Sequence, residues 1–220
     1  MDKMDEIIVV IPRSSLFGDA DDLSFQGGMF GESKVLQVLR SCIEEKVELK
    51  RRGNMEKDPT YKQLIPYAYI SVAKTETEDQ KFFVYERLTG AGEARLHNKL
   101  SLGVGGHMNK LDGFQDIFNE VGRELLEEVE VSVDGTVLGL SDLNFSIEGM
   151  INDDSNEVGE VHLGIAIKME APGSAKVEVQ ETEELAGQLL TLDQMLEPSV
   201  YERLENWSKI VVDHLKDLRG

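Results

Sequence analysis

The segment GRELLEEVEV, residues 122–131, places Glu124, Glu127 and Glu128 within five positions, beside Arg123. On a helix the spacings i, i+3 and i+4 bring the three carboxylates to one face. Like charges so placed repel, by roughly 0.2–0.5 kcal/mol per exposed pair. A solvated helix face is one reading of such a cluster; a cation site is the other. Mg²⁺ takes oxygen ligands, keeps several waters and commonly bridges carboxylates to substrate phosphates. Held there, it binds a pyrophosphate, offsets its charge and lowers the pKa of a coordinated water. A carboxylate not used as ligand can take that water's proton. Upstream, the paired glycines of GVGGH (103–107) let backbone approach a ligand closely. Arg123 is placed to orient an acid.

Other residues offer chemistry at weaker spacing. His107 directly follows the two glycines, which suits either substrate contact or a structural loop role. Arg87, Arg95 and Lys99 are a basic cluster between two strand-like runs and the glycines, suited to phosphate or to solvent. His162 alternates with Glu160 along a strand-like run and faces either core or pocket.

These groups need elements to hold them. FQDIFNEVGRELLEEV (114–129) has apolar residues at helical spacing, so a helix is expected, with a close contact at its central Gly122. LIPYAYISVAK and KFFVYERL flank the turn TETEDQ, a hairpin pattern. SLGVGGH is a short strand running into glycines, and GTVLGLSDLNFSIEGMI and EVHLGIAIKMEA are further strand candidates. Before them, IIVVIP is a buried strand ended by Pro12, and FGDADDLSFQGGMFGES is loop. ESKVLQVLRSCIEEKVEL is helical, and the polar stretch 50–63 is a linker. A short helix near LDQML and the amphipathic VYERLENWSKIVVDHLKDL close the chain. Strands, a helix, more strands and a helix imply an α/β or α+β sandwich.

Composition bounds the partners. The chain has 220 residues, enough for one sizeable domain with an extension, and a net charge of -19 that argues against nucleic acid or anionic membrane as partner. Small phosphorylated ligands stay open, because a metal ion can carry them into an acidic pocket. The lone Cys42 cannot form an intramolecular disulfide, which suits a reducing cytoplasm. No apolar stretch approaches the ~20 residues that span a bilayer.

GGH followed by RELLEEVEV resembles the motif of the Nudix (MutT-like) hydrolases, G-x5-E-x7-R-E-U-x-E-E-x-G-U, where U is aliphatic. Arg123, Glu124, Leu125, Glu127, Glu128 and Val131 match its second half. The resemblance runs from about Leu64 to Leu196 and does not cover residues 1–60. The motif's first Glu falls on Gln115, its first Gly on Asn109, and its late Gly on Glu130. Gly106 lies three residues early, so the loop HMNKLDG is lengthened by three, or Asp112, six after Gly106, supplies the acid.

The resemblance implies a Nudix-type α/β/α sandwich with a mixed sheet and the motif helix, over residues 61–220. Residues 1–60 are then an N-terminal extension of strand plus helix. It implies Mg²⁺-dependent (or Mn²⁺-dependent) hydrolysis of a diphosphate linkage in a nucleoside diphosphate derivative or related phosphorylated metabolite. Glu124, Glu127 and Glu128 are the implied metal carboxylates, with Arg123 orienting them and Glu124 or a neighbour as base. The carbonyl of Gly105 or Gly106 is an implied further ligand. An acid before the last helix is drawn from QETEEL, where Glu184 stands with Glu181 and Glu183, or is Glu160. A homodimer is a family-level expectation. The alternative is a Nudix-like domain that binds a nucleotide or a protein without hydrolysing it.

Overall fold

The computed structural model describes residues 2–45, 47–88, 99–180 and 185–220. In the first half of the chain the strands are β1 (Ile7–Pro12), β2 (Gly27–Phe30), β3 (Glu48–Arg51), β4 (Tyr61–Val72), β5 (Lys81–Arg87), β6 (Leu100–Ser101) and β7 (Gly103–Gly105). Its helices are α1 (Arg13–Phe17), α2 (Glu32–Glu45) and α3 (Arg52–Met55). The second half begins with α4 (Phe114–Glu128), followed by β8 (Val129–Val133), β9 (Thr136–Val137), β10 (Asn144–Asn152), α5 (Glu157–Glu160) and β11 (His162–Ala171). It ends with β12 (Lys176–Val179), β13 (Leu185–Thr191), α6 (Leu192–Met195), α7 (Pro198–Tyr201) and α8 (Asn206–Arg219). The fold is mixed α/β, with a large mixed sheet and several helices, as expected from the sequence. No helix among the described residues is long and apolar enough to cross a membrane.

The chain divides into two compact units. The first comprises Met1–Tyr67, Gly105–Val121 and Ile147–Ile167. Here β1 runs antiparallel to β3, with Val9 opposite Leu49, and to β4, with Val10 opposite Gln63. The hydrogen-bonded order continues β4-β11-β10-β2, and Gly149 of β10 lies opposite Phe30 of β2. Ile8 and Val10 pack with Met55 and Tyr61 in a small core. The polar stretch 50–63, expected as a linker, supplies the end of β3, all of α3 and the start of β4. Its polarity misleads because β3 alternates half-buried with exposed residues, so one face only is sequestered.

The second unit comprises Ala68–Val104, Gly122–Ser146 and Lys168–Gly220. The expected hairpin is present: β4 and β5 are antiparallel, with Ser71 opposite Phe82, and β13 flanks β5 in register from Leu185–Arg87 to Thr191–Lys81. A three-stranded sheet, β12-β8-β9, is built around a two-residue turn at Asp134 and Gly135, both with positive φ. Ile70, Phe83, Tyr85, Val104, Leu125, Val129, Met169 and Leu185 are among the residues of its core.

Two elements differ from expectation for identifiable reasons. Strand β2 lies in the stretch expected as loop; it lacks its own alternation and is defined by pairing with β10, where the Phe30 ring occupies the space a Cβ on Gly149 would need. The last helix starts at Asn206 and not near residue 200, because the backbone before it bonds to Leu100. The Leu100 N–H donates to Arg203 O at 2.9 Å, and the Glu205 N–H donates to Leu100 O at 2.9 Å.

Candidate active site

Helix α4 forms as its 3.6-residue period dictates, with Ile117, Val121 and Leu125 buried. At Gly122 a Cβ would meet Leu140 Cδ1 at 2.4 Å, so the helical glycine is explained by close packing of Leu140. The helix ends at Glu128 and the chain enters β8 directly, where Val129 and Val131 are buried and Glu130 is exposed. Glu130 pairs in register with Glu178 on extended backbone, which needs no glycine.

In the second unit Arg123 ties two of the three glutamates. Its Nη2 donates to Glu124 Oε1 in a very short contact, and its Nη1 donates to Glu127 Oε1 at 3.2 Å. Glu124 and Glu128 are half-buried and one turn apart; Glu127 is exposed. Three carboxylates against one guanidinium leave a net negative turn of hard oxygen donors, a donor set that suits a small divalent cation.

Glu128 also bears on Tyr85 of β5. Burial, and next the negative charge of Glu128, push the Tyr85 phenol well above its ordinary pKa. The neutral hydroxyl donates to Gly103 O at 3.1 Å and accepts from Arg87 Nη2 at 3.2 Å. Arg87 Nε lies 3.8 Å from Glu205 Oε1, and the charge of Glu205 adds to that of Glu128 on the phenol. The structure thus groups Arg87, anticipated from the sequence, with Tyr85 and Glu205, which were not. Tyr85 carries no local signal beyond its place in a strand. Glu205 could have been sought as the residue at the true start of the last helix.

Gly106 and His107 belong to the first unit. The loop after them is anchored: Met108 and Leu111 are buried, and Met108 O accepts the Val9 N–H of β1 at 2.7 Å. Asp112 is exposed; its backbone N–H donates to Asp116 Oδ2 at 2.7 Å, and its carboxylate pairs with Lys110 at 2.9 Å. Gln115 is exposed and donates to Asn119 Oδ1 at 3.0 Å. Gly105 is required where it stands, since a Cβ there would come within 2.9 Å of Pro66 O.

His107 Nε2 lies 3.2 Å from His162 Nε2 and 2.8 Å from Gln63 Oε1. Burial, then Arg52 and His162, lower the His107 pKa to about 3, and burial lowers that of His162. Both rings are therefore neutral at pH 7. Glu160 ends α5 and is exposed. Arg95 and Glu184, with Glu181 and Glu183, lie outside the described residues, as does the side chain of Cys42.

Comparison with known proteins bears on what this helix and fold define. No family model matches the chain. Tm1382, a crystal structure provisionally assigned to the Nudix hydrolases, matches with TM-score 0.70 at 25% identity, covering 97% of this chain and 99% of that one. DR0079 from Deinococcus radiodurans, with TM-score 0.50 and 12% identity over 86% of this chain and 97% of that one, shares the fold alone. The fold and the full-length likeness to Tm1382 support membership of the Nudix hydrolases, enzymes of the pyrophosphohydrolase type. The chain is also 40% identical to protein YmaB of Bacillus subtilis over 222 residues, spanning 98% of this chain and 100% of that protein. Nudix hydrolases act on small phosphorylated substrates and generally use a divalent metal.

Proposed function

We propose that the enzyme hydrolyses the diphosphate linkage of a nucleoside diphosphate derivative or related phosphorylated metabolite, with Mg²⁺ as its ion. The observation that carries this reading is the single turn of α4 on which Glu124, Glu127 and Glu128 stand with Arg123 bonded to the first two. Glu124, Glu127 and Glu128 are the residues that would hold the ion. When bound, it supplies charge neutralisation for the phosphates and acidifies a water.

The chain's own groups do the remaining work. Arg123 holds the Glu124 and Glu127 carboxylates in one orientation. Whichever of the three carboxylates the ion leaves uncoordinated takes the proton of the attacking water. The water oxygen bonds to one phosphorus as the bridging P–O bond breaks, and the electron pair leaves with the departing phosphate. Arg87, oriented by the neutral Tyr85 hydroxyl and by Glu205, binds phosphate oxygen. The same reading includes a cytoplasmic setting, no nucleic-acid partner and a homodimer, the last checked by light scattering.

The test is a panel of nucleotide sugars, dinucleoside polyphosphates, nucleoside triphosphates, ADP-ribose and prenyl diphosphates, with Mg²⁺ or Mn²⁺. Turnover of a nucleoside diphosphate derivative, lost in Glu128→Gln at unchanged circular dichroism, is expected. Unchanged turnover in that variant, or turnover indifferent to Mg²⁺, sinks the assignment.

A further inference from the structure

Among the described residues, one group has the ligand atoms of a transition-metal site: Glu56, His107 and His162, all within 4.8 Å of one another. None belongs to the glutamate helix. Glu56 caps the end of α3, His107 follows β7, and His162 opens β11. All three lie in the first unit.

The hydrogens around this group can be counted. A carbonyl only accepts, so the 2.6 Å bond between His162 Nδ1 and Val158 O carries its hydrogen on Nδ1. In the neutral ring Nε2 is then a bare lone pair, and it points at His107 Nε2, 3.2 Å away. His107 Nε2 has at most one hydrogen, and two acceptors compete for it: His162 Nε2 and Gln63 Oε1 at 2.8 Å. The Glu56 carboxylate adds further lone pairs. Gln63 is fully buried, and its Nε2 has no hydrogen-bond partner. Converging lone pairs with a single hydrogen among them, beside a buried amide that lacks a partner, are electrostatically incomplete.

A cation completes them. We propose that Glu56, His107 and His162 bind a transition-metal dication of the Zn²⁺ class, at a site whose ligands are separate from the acidic ion site of the α4 turn. Two imidazole nitrogens and one carboxylate select zinc over magnesium. Zn–N bonds of about 2.0–2.1 Å at a tetrahedral angle put the two nitrogens roughly 3.3 Å apart, and the observed separation is 3.2 Å. The His162 Nδ1–H bond to a backbone carbonyl is the outer-shell contact that fixes the tautomer of a metal-bound imidazole.

The local charge permits a dication. Arg52 donates to Glu56 Oε1 at 2.9 Å and reaches Glu6 Oε2 at 3.5 Å, so two carboxylates meet one guanidinium and the second Glu56 oxygen is left for the metal. Lys62 is matched by Asp154 at 2.6 Å. Such an ion ties together three stretches of chain that are distant in sequence, and its binding is coupled to folding.

The test is a Co²⁺ titration of the full, metal-stripped chain in saturating Mg²⁺, which fills acidic sites. One equivalent binding with the intense visible bands of a low-coordinate Co²⁺ centre, displaced by Zn²⁺, is expected, together with a higher melting temperature. Affinity should fall at least about 100-fold in His107→Ala and in Glu56→Gln. Glu128→Gln should keep the Co²⁺ spectrum while losing hydrolysis, so the two readings fail separately. A wild-type spectrum that stays that of the aqua ion overturns the proposal without recourse to any variant. So does a bound equivalent that survives intact in both ligand variants.

Discussion

Lys62 has no exposed surface, and its Nζ stands 2.6 Å from Oδ1 of Asp154. The ammonium also donates to Gly159 O at 2.9 Å and His162 O at 3.3 Å. Asp154 additionally accepts from Arg13 at 2.7 Å and from Gln26 at 2.7 Å. One carboxylate thus compensates a buried lysine and a half-buried arginine.

Removing it leaves the buried Lys62 ammonium without a carboxylate, while Arg13 keeps Asp21 at 2.8 Å, so Asp154→Ala should cost about 3–5 kcal/mol, read as a lower urea midpoint. Combining it with Lys62→Met should recover part of the loss, because the uncompensated charge is gone. Additive losses would show that the pair is not coupled.

The same carboxylate sets an acid limit. Burial alone would raise its pKa, but the bonds from Arg13 and Lys62 outweigh burial and hold it well below the ordinary 3.8. A depressed folded-state pKa contributes stability that is present above about pH 4 and lost as pH falls toward the folded value. Wild-type stability should therefore drop between about pH 4 and 2 more steeply than that of Asp154→Asn, measured by denaturant titration at each pH.

Gly122 and Leu140 form a second coupled pair. Gly122→Ala gains up to ~1 kcal/mol in helix propensity but sets a methyl against the end of the half-buried Leu140 side chain, which must turn aside. The two effects oppose, so a net change smaller than about 1 kcal/mol is expected. Leu140→Ala in that background should restore stability relative to the sum of the single changes, as a double-mutant cycle would reveal.

Arg123 separates stability from activity. It is 49% exposed, and its pairing with Glu127 is a surface interaction. Arg123→Ala should change stability by less than about 0.5 kcal/mol yet lower kcat roughly 10- to 100-fold by releasing two carboxylates. Arg123→Lys should rescue poorly, since one ammonium cannot reproduce the guanidinium fork. An unchanged kcat in the alanine variant would remove the arginine from the site.

Chelation offers a simpler check. Excess EDTA should stop turnover, and Mg²⁺ added back alone should restore most of it. Recovery that requires Zn²⁺ as well would assign the histidine group a part in the reaction.

How much of this was legible beforehand depends on the range of the interaction. Helix α4, its carboxylate face and the contact demanded by Gly122 were written in the sequence, because helical neighbours are three and four residues apart. The hairpin of β4 and β5 was legible for the same reason, through alternation and a nearby turn. Strands β2 and β3 were not, since each exists through a partner strand supplied from elsewhere. The break before α8 depends on Leu100, a residue more than a hundred positions earlier. Glu56, Gln63, His107 and His162 share no spacing, and only the strand pairing and loop anchoring of the first unit bring them together. Local periodicity determined the glutamate helix; long-range hydrogen bonding, which leaves no periodic trace, decided which histidine meets which glutamate.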